Sequence, residues 1–201
     1  MKWLTVTVAL GVGALASAGT LQLTAPMTHV LTPIDSLPSS DQIDAVHGGR
    51  EQARENLQAI ALGEAVVAGE SGVDIGIQIR AVRALPLYCD APCGESAAHD
   101  TVVELASMPR YRDARRGSDL LVLRAAIESL GLMRVQTDLD LLAPYLGHPS
   151  RDIRAATALA LGDLGNPQAI EPLHSRQHVE QVQQVIEAIG IALSVLEQQA
   201  P

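Results

Sequence analysis

The chain has 201 residues and a formal net charge of −9, with 23 acidic against 14 basic residues. That balance argues against nucleic acid and anionic lipid as general partners, because both reward positive charge. With no Phe, one Trp and three Tyr, the core must be built from Leu, Ile, Val and Ala, which suits close helix–helix packing better than a β-sandwich.

The first 18 residues read as a secretory signal peptide. Lys2 gives a positive start, Leu4 to Leu15 is an uncharged apolar run, and Ala16-Ser17-Ala18 is a small-residue cleavage signature. The apolar stretch is close to the length of a membrane span, but its small-residue end favours cleavage after Ala18. No Cys follows, so lipid attachment at a new N-terminus is not supported. Cleavage removes Trp3 and Lys2, the only lysine. The mature chain is expected in the periplasm or outside the cell, with no membrane span. Residues 19–49 then read as a mostly irregular linker, because Pro26, Pro33, Pro38, Gly48 and Gly49 interrupt any long period. A short helical turn fits near Asp41–Val46.

Helical periodicity begins at Arg50. Helices are expected over about 51–68, 74–87 and 97–107. Pro86 disturbs the end of the second, and Met108-Pro109 stops the third. Ser118 is the expected N-cap of a helix ending at Gly131, and Thr137 or Asp138 caps the next, which Pro144 bends. Ser150 caps a helix whose Ile153, Ala156, Ala160, Leu161 and Leu164 fall on one stripe. Asn166-Pro167 starts a short helix. The last helix is expected over 178–198, with Val179, Val182, Ile186, Ile189, Leu193 and Leu196 inward. No strand of useful length is expected between Arg50 and Ala200.

Three segments share a pattern. Residues 122–131 read Val-Leu-Arg-Ala-Ala-Ile-Glu-Ser-Leu-Gly, residues 153–162 read Ile-Arg-Ala-Ala-Thr-Ala-Leu-Ala-Leu-Gly, and Ile186-Glu187-Ala188-Ile189-Gly190 repeats the ending. The recurrence at roughly 30 residues signals stacked helical pairs. Asp152-Ile153-Arg154 through Leu173, with Gly162, Gly165 and Asn166-Pro167 inside it, resembles the short bacterial HEAT repeat of phycobilin-lyase-like proteins. Residues 118–147 match it moderately and 74–107 weakly, while 178–198 resembles a half-repeat that caps the stack. The resemblance implies an all-α fold, an α-α superhelix of about three helix pairs over 50–201, with capping helices at 51–68 and at the C-terminus. It also implies that Asp152 and Arg154 tie adjacent repeats in a structural ladder. The three aligned glycines are read as closing successive helices.

Such arrays usually present a surface to a protein partner, so the expected function is a non-enzymatic interaction scaffold with no cofactor. The family likeness gives one alternative, a chromophore lyase or isomerase. The best candidate surface is the loop holding Arg110, Tyr111, Arg112, Arg115 and Arg116, the only basic cluster in an acidic chain, because Arg offers paired donors to acidic groups. His174 and His178 are four apart and are weak metal candidates; the segment between them is expected to span a turn, and it lacks the Glu of His-Glu-x-x-His. A periplasmic metal-handling role is therefore the second alternative. Cys89 and Cys93 are expected to form a disulfide in an oxidising compartment, since Cys-x-x-x-Cys departs from the redox spacing. Ile191 and Val195 point away from the inner stripe and could support weak self-association.

Overall fold

The computed structural model describes residues 20–33, 36–67 and 69–199. The expected signal segment, 1–18, lies outside the described residues. From the N-terminus come β1 (Leu21–Leu23), α1 (Ala25–His29), α2 (Ser40–His47), α3 (Arg50–Leu62), β2 (Ala65–Val67) and α4 (Ile75–Ala84). Then follow α5 (Ala97–Ser107), α6 (Pro109–Arg112), α7 (Ser118–Met133), α8 (Leu139–Leu142), α9 (Arg151–Leu164), α10 (Ile170–Gln177) and α11 (Gln183–Gln199). Leu85–Tyr88, Cys93–Glu95, Gln136–Asp138, Ala143–Gly147 and Pro167–Ala169 form 3-10 turns. Each places a proline or a connection where a continuous α-helix would lose backbone hydrogen bonds.

Two layers form an α-α superhelix. Helices α4, α7, α9 and α11 lie side by side, and α5, the α8 turn region and α10 pack against them. The pairs are α4 with α5, α7 with α8, and α9 with α10; α3 covers the N-terminal end and α11 the C-terminal end. The expected stripe of α9 is its buried side: Ile153, Ala156, Ala160, Leu161 and Leu164 are all in the core.

The N-terminal segment differs from the linker expected over 19–49. Leu23, Leu31 and Ile43 are fully buried, and Leu21–Leu23 pairs in parallel with Ala65–Val67. The helix expected to reach residue 68 ends at Leu62, because Gly63 turns left-handed at φ 77°; the chain then forms the short strand β2. His47 locks α2 to α3, its Nδ1 accepting from Asn56 Nδ2 at 3.2 Å.

Arg154 does tie repeats together, but not with Asp152, which is exposed 3.8 Å from Arg151. Its partner is Glu180, 2.7 Å away across the α10–α11 connection. The last helix starts at Gln183 rather than 178, leaving Val179 exposed and Val185 buried. Asp138 does not cap α8 with its side chain. It is buried and accepts from His99 Nε2 at 2.9 Å, joining α5 to the α7–α8 connection, and burial pushes its carboxyl above the ordinary value.

Burial also holds His47 below 6.5, opposed by the Met27 backbone and Asp44. It likewise lowers His148, with Arg115 adding to the effect. The unfolded chain therefore binds more protons than the folded one just below the ordinary histidine value, so stability falls as pH drops through that range. Thermal melts at pH 7.5 and 5.5 are expected to show a lower midpoint at 5.5, and the difference should shrink in His47→Gln with His148→Gln. An unchanged pH dependence in the double variant would refute this assignment.

Candidate docking surfaces

Three neighbouring helices each present one face to the same groove, about 380 Å³ in volume. From α7 come Arg124, Glu128 and Leu132, successive residues four apart on one helix side. Helix α9 supplies Ala155, Ala156, Leu159, Ala160, Asp152 and Asp163, and α11 supplies Gln184, Glu187, Ala188 and Ile191. The four alanines are nearly buried and form the floor. Leu132, Leu159 and Ile191 stand above it, 59%, 41% and 58% exposed. Leaving large aliphatic side chains in water forgoes a few kcal/mol of burial, so three in a row mark an interaction surface more than a stability device.

The rim is acidic. Glu128 accepts from Arg83 Nη2 at 2.6 Å and from Arg124 Nε at 2.7 Å, so its charge is compensated. Asp163 and Glu187 have no Lys or Arg within ion-pair distance among the described residues. Burial pushes the Asp163 carboxyl upward against the opposing charge of Arg134.

The arginine loop packs between α5 and α7. Tyr111 is not available for docking. The helical turn Pro109–Arg112 points it inward, where it is 2% exposed and its hydroxyl accepts from Gln78 Nε2 at 3.3 Å. Arg110 is bonded to Asp119 at 2.9 Å and Arg112 to Asp113 at 3.0 Å. Arg115 and Arg116 are exposed, with no ion pair among the described residues. Arg112 and Arg115 border a second cavity of about 480 Å³ with Asp140, Tyr145 and His148. His148 Nδ1 accepts from the Ser150 amide at 3.1 Å, which places the proton of the neutral ring on Nε2.

His174 lies within α10, whereas His178 is the C-cap residue at which the expected turn begins. Helix α10 runs through Gln177, and the His178 amide donates to the His174 carbonyl at 3.2 Å, so both rings lie on one exposed side. Among the described residues no group of three or more His, Cys, Asp or Glu stands where it could hold a metal ion. Cys89 and Cys93 stand at disulfide distance, Cα atoms 5.0 Å apart, in the α4–α5 connection. Ile191 and Val195 are exposed as expected, but Ile191 belongs to the shared groove. Among the described residues no helix is long and apolar enough to cross a membrane.

Residues 108–194 match the family model for HEAT repeats. That stretch is similar to HEAT repeats. The match runs from the start of α6 to within α11, so the matched stretch contains both the aliphatic groove and the arginine loop. It begins after the α4–α5 pair, where Pro86 and the cysteine connection replace the usual helix exit. No curated protein matches the chain.

Sequence reasoning missed the groove. One signal was available: Leu132 and Ile191 directly follow Gly131 and Gly190, placing a large aliphatic residue at the same repeat position twice.

Proposed function

We propose that the chain is an exported, non-enzymatic scaffold that docks a protein partner on the α7–α9–α11 face of its HEAT array. The observation that carries this reading is the row Leu132, Leu159 and Ile191, one exposed aliphatic residue from each helix above an alanine floor. The backbone is held by two-layer packing, so the face is rigid and loses little entropy when a partner docks. Export rests on the leader-like start of the sequence. Arg115 and Arg116, exposed and without an ion pair among the described residues, offer a second contact for an acidic patch of the same partner.

A photo-crosslinking residue in place of Leu159, expressed in the native cells, tests the docking face. A discrete adduct is expected, and it should disappear when Leu132→Asp and Ile191→Asp are added. The melting temperature should stay within about 4 °C, since two exposed substitutions of less than about 0.5 kcal/mol each change stability by at most about 1 kcal/mol. An adduct that survives both substitutions would show that the partner docks elsewhere. Mass spectrometry of the extracytoplasmic protein is expected to find Gly19 as the first residue; retention of Met1 in the cytosolic fraction would remove the export reading.

A further inference from the structure

The groove specifies more than an apolar partner. Its ionisable lining is Arg124 against Glu128, Asp152, Asp163 and Glu187, one positive and four negative groups, or a net −3. Glu128 is already held by Arg83 and Arg124, and Asp152 has, among the described residues, only the exposed Arg151 at 3.8 Å. The acids with no Lys or Arg in ion-pair distance among the described residues are therefore Asp163 and Glu187, which line the groove from α9 and α11. Asp163 feels Arg134 from farther away, and Glu187 accepts from Gln183 Nε2 at 3.0 Å. An acidic partner would bring like charges together here, and a neutral one would leave both carboxylates partly desolvated without a counterion.

Geometry selects the shape of the occupant. Leu132, Leu159 and Ile191 step across three adjacent helices, and packed helices sit about 8–10 Å apart. Crossing all three takes about 20 Å, the length of about 14 helical residues. The alanine floor leaves room for inserted side chains between the aliphatic steps. A helix with apolar residues at i, i+3 or i+4, i+7 and i+11, a stripe of about 16 Å, matches that row, and residues flanking the stripe would lie over the rim.

Resting on the docking role proposed above, we propose that the α7–α9–α11 groove receives an amphipathic helix of a partner protein, with a Leu/Ile-type ridge flanked by Lys or Arg that pair with Asp163 and Glu187.

Two fluorescein-labelled peptides of about 14 residues test this on the purified protein. Both carry the same leucine face; one has lysine on its polar face and the other glutamate. The lysine peptide is expected to bind at least ten-fold more tightly by fluorescence anisotropy at low salt, and its advantage should shrink at 0.5 M salt. Asp163→Lys with Glu187→Lys should reverse the preference, and Asp163→Asn with Glu187→Gln should abolish it. Glu64→Lys, Glu70→Lys and Glu104→Lys, exposed acids outside the groove, should leave it intact despite changing net charge by more. Equal binding of both peptides, both lost with Leu132→Asp and Ile191→Asp, would overturn the cationic assignment while leaving the docking face standing. An advantage abolished equally by the three remote substitutions would also overturn it, as attraction to the acidic protein in general. Failure of both peptides to bind, together with no adduct at position 159, would overturn the docking face itself.

Discussion

Gly131→Ala is expected to lower the melting temperature and Gly190→Ala to raise it, although the two glycines occupy matching places in the repeated sequence. A Cβ on Gly131 would lie 2.7 Å from both Cα and O of Ala160, backbone atoms that move only if α7 and α9 separate. Overpacking of this kind costs about 1–3 kcal/mol. The substitution regains at most about 1 kcal/mol of helix propensity, so the net effect is a loss. At about 2–4 °C per kcal/mol for a chain of this size, the midpoint falls by several degrees. Gly131→Val falls further, because the larger branched side chain meets the same backbone. A Cβ on Gly190 has no neighbour within 4 Å among the described residues, and this residue lies inside α11. There Ala replaces Gly without a clash and stabilises by about 0.4–1 kcal/mol. Thermal circular dichroism of the three variants decides the matter; a Gly131→Ala protein that melts at or above the parent would show that α7 and α9 are not in this close contact.

The same glycines show what sequence could and could not reveal. Aligning them exposed the repeat and hence the architecture, and the stripe on α9 was visible because helical period and burial coincide over a long element. Their role was misread. The helices that contain Gly131 and Gly162 continue to Met133 and Leu164, and the left-handed exits are Arg134 at φ 56° and Gly165 at φ 71°. A glycine needed for close approach and one needed for a left-handed turn leave the same letter, because both work by lacking Cβ. Tyr111 was misplaced for a related reason: within an arginine-rich run, composition suggests solvent, and only the single helical turn of α6 sends its ring inward. The pairing of Leu21–Leu23 with Ala65–Val67 was invisible because its strands are three residues long and far apart in sequence. The groove was hidden because each helix supplies only one exposed aliphatic residue above the alanines. The row exists only once α7, α9 and α11 lie side by side.

Glu180→Ala is expected to destabilise the C-terminal repeats more than an exposed substitution, because it leaves two guanidinium groups in a nearly closed site. The Glu180 side chain is 2% exposed and that of Arg154 10%. Its two oxygens accept from Arg154 Nε and Nη2 at 2.7 and 3.0 Å, and from Arg176 Nε and Nη2 at 2.9 and 2.6 Å. They also accept from the backbone amides of Gln181 and Val182 at 3.1 and 3.0 Å. Arg154 Nη1 in turn donates to the carbonyls of His148 and Pro149, both at 3.0 Å. One carboxylate thus joins α9, α10, the start of α11 and the segment before α9. Removing one partner of a buried pair costs about 3–5 kcal/mol, a fall of about 6–20 °C in melting temperature. Arg154→Met should cost less, since Arg176 still answers the carboxylate and an apolar side chain fills the space.

The charge state gives a second readout. Hydrogen bonds from Arg154, partly opposed by burial, hold Glu180 down to about 2 from an ordinary 4.5. A carboxylate lowered on folding contributes its full stabilisation above the unfolded value, and loses it as pH falls from about 4.5 toward 2. The native protein should therefore lose stability through that range by a component that Glu180→Gln lacks, although the variant is less stable at pH 7. Urea titrations of both proteins at pH 7, 4.5 and 3 measure this component. If the two curves fell in parallel, Glu180 would not be titrating on unfolding, and the salt bridge between repeats would not be the rung that holds α9 to α11.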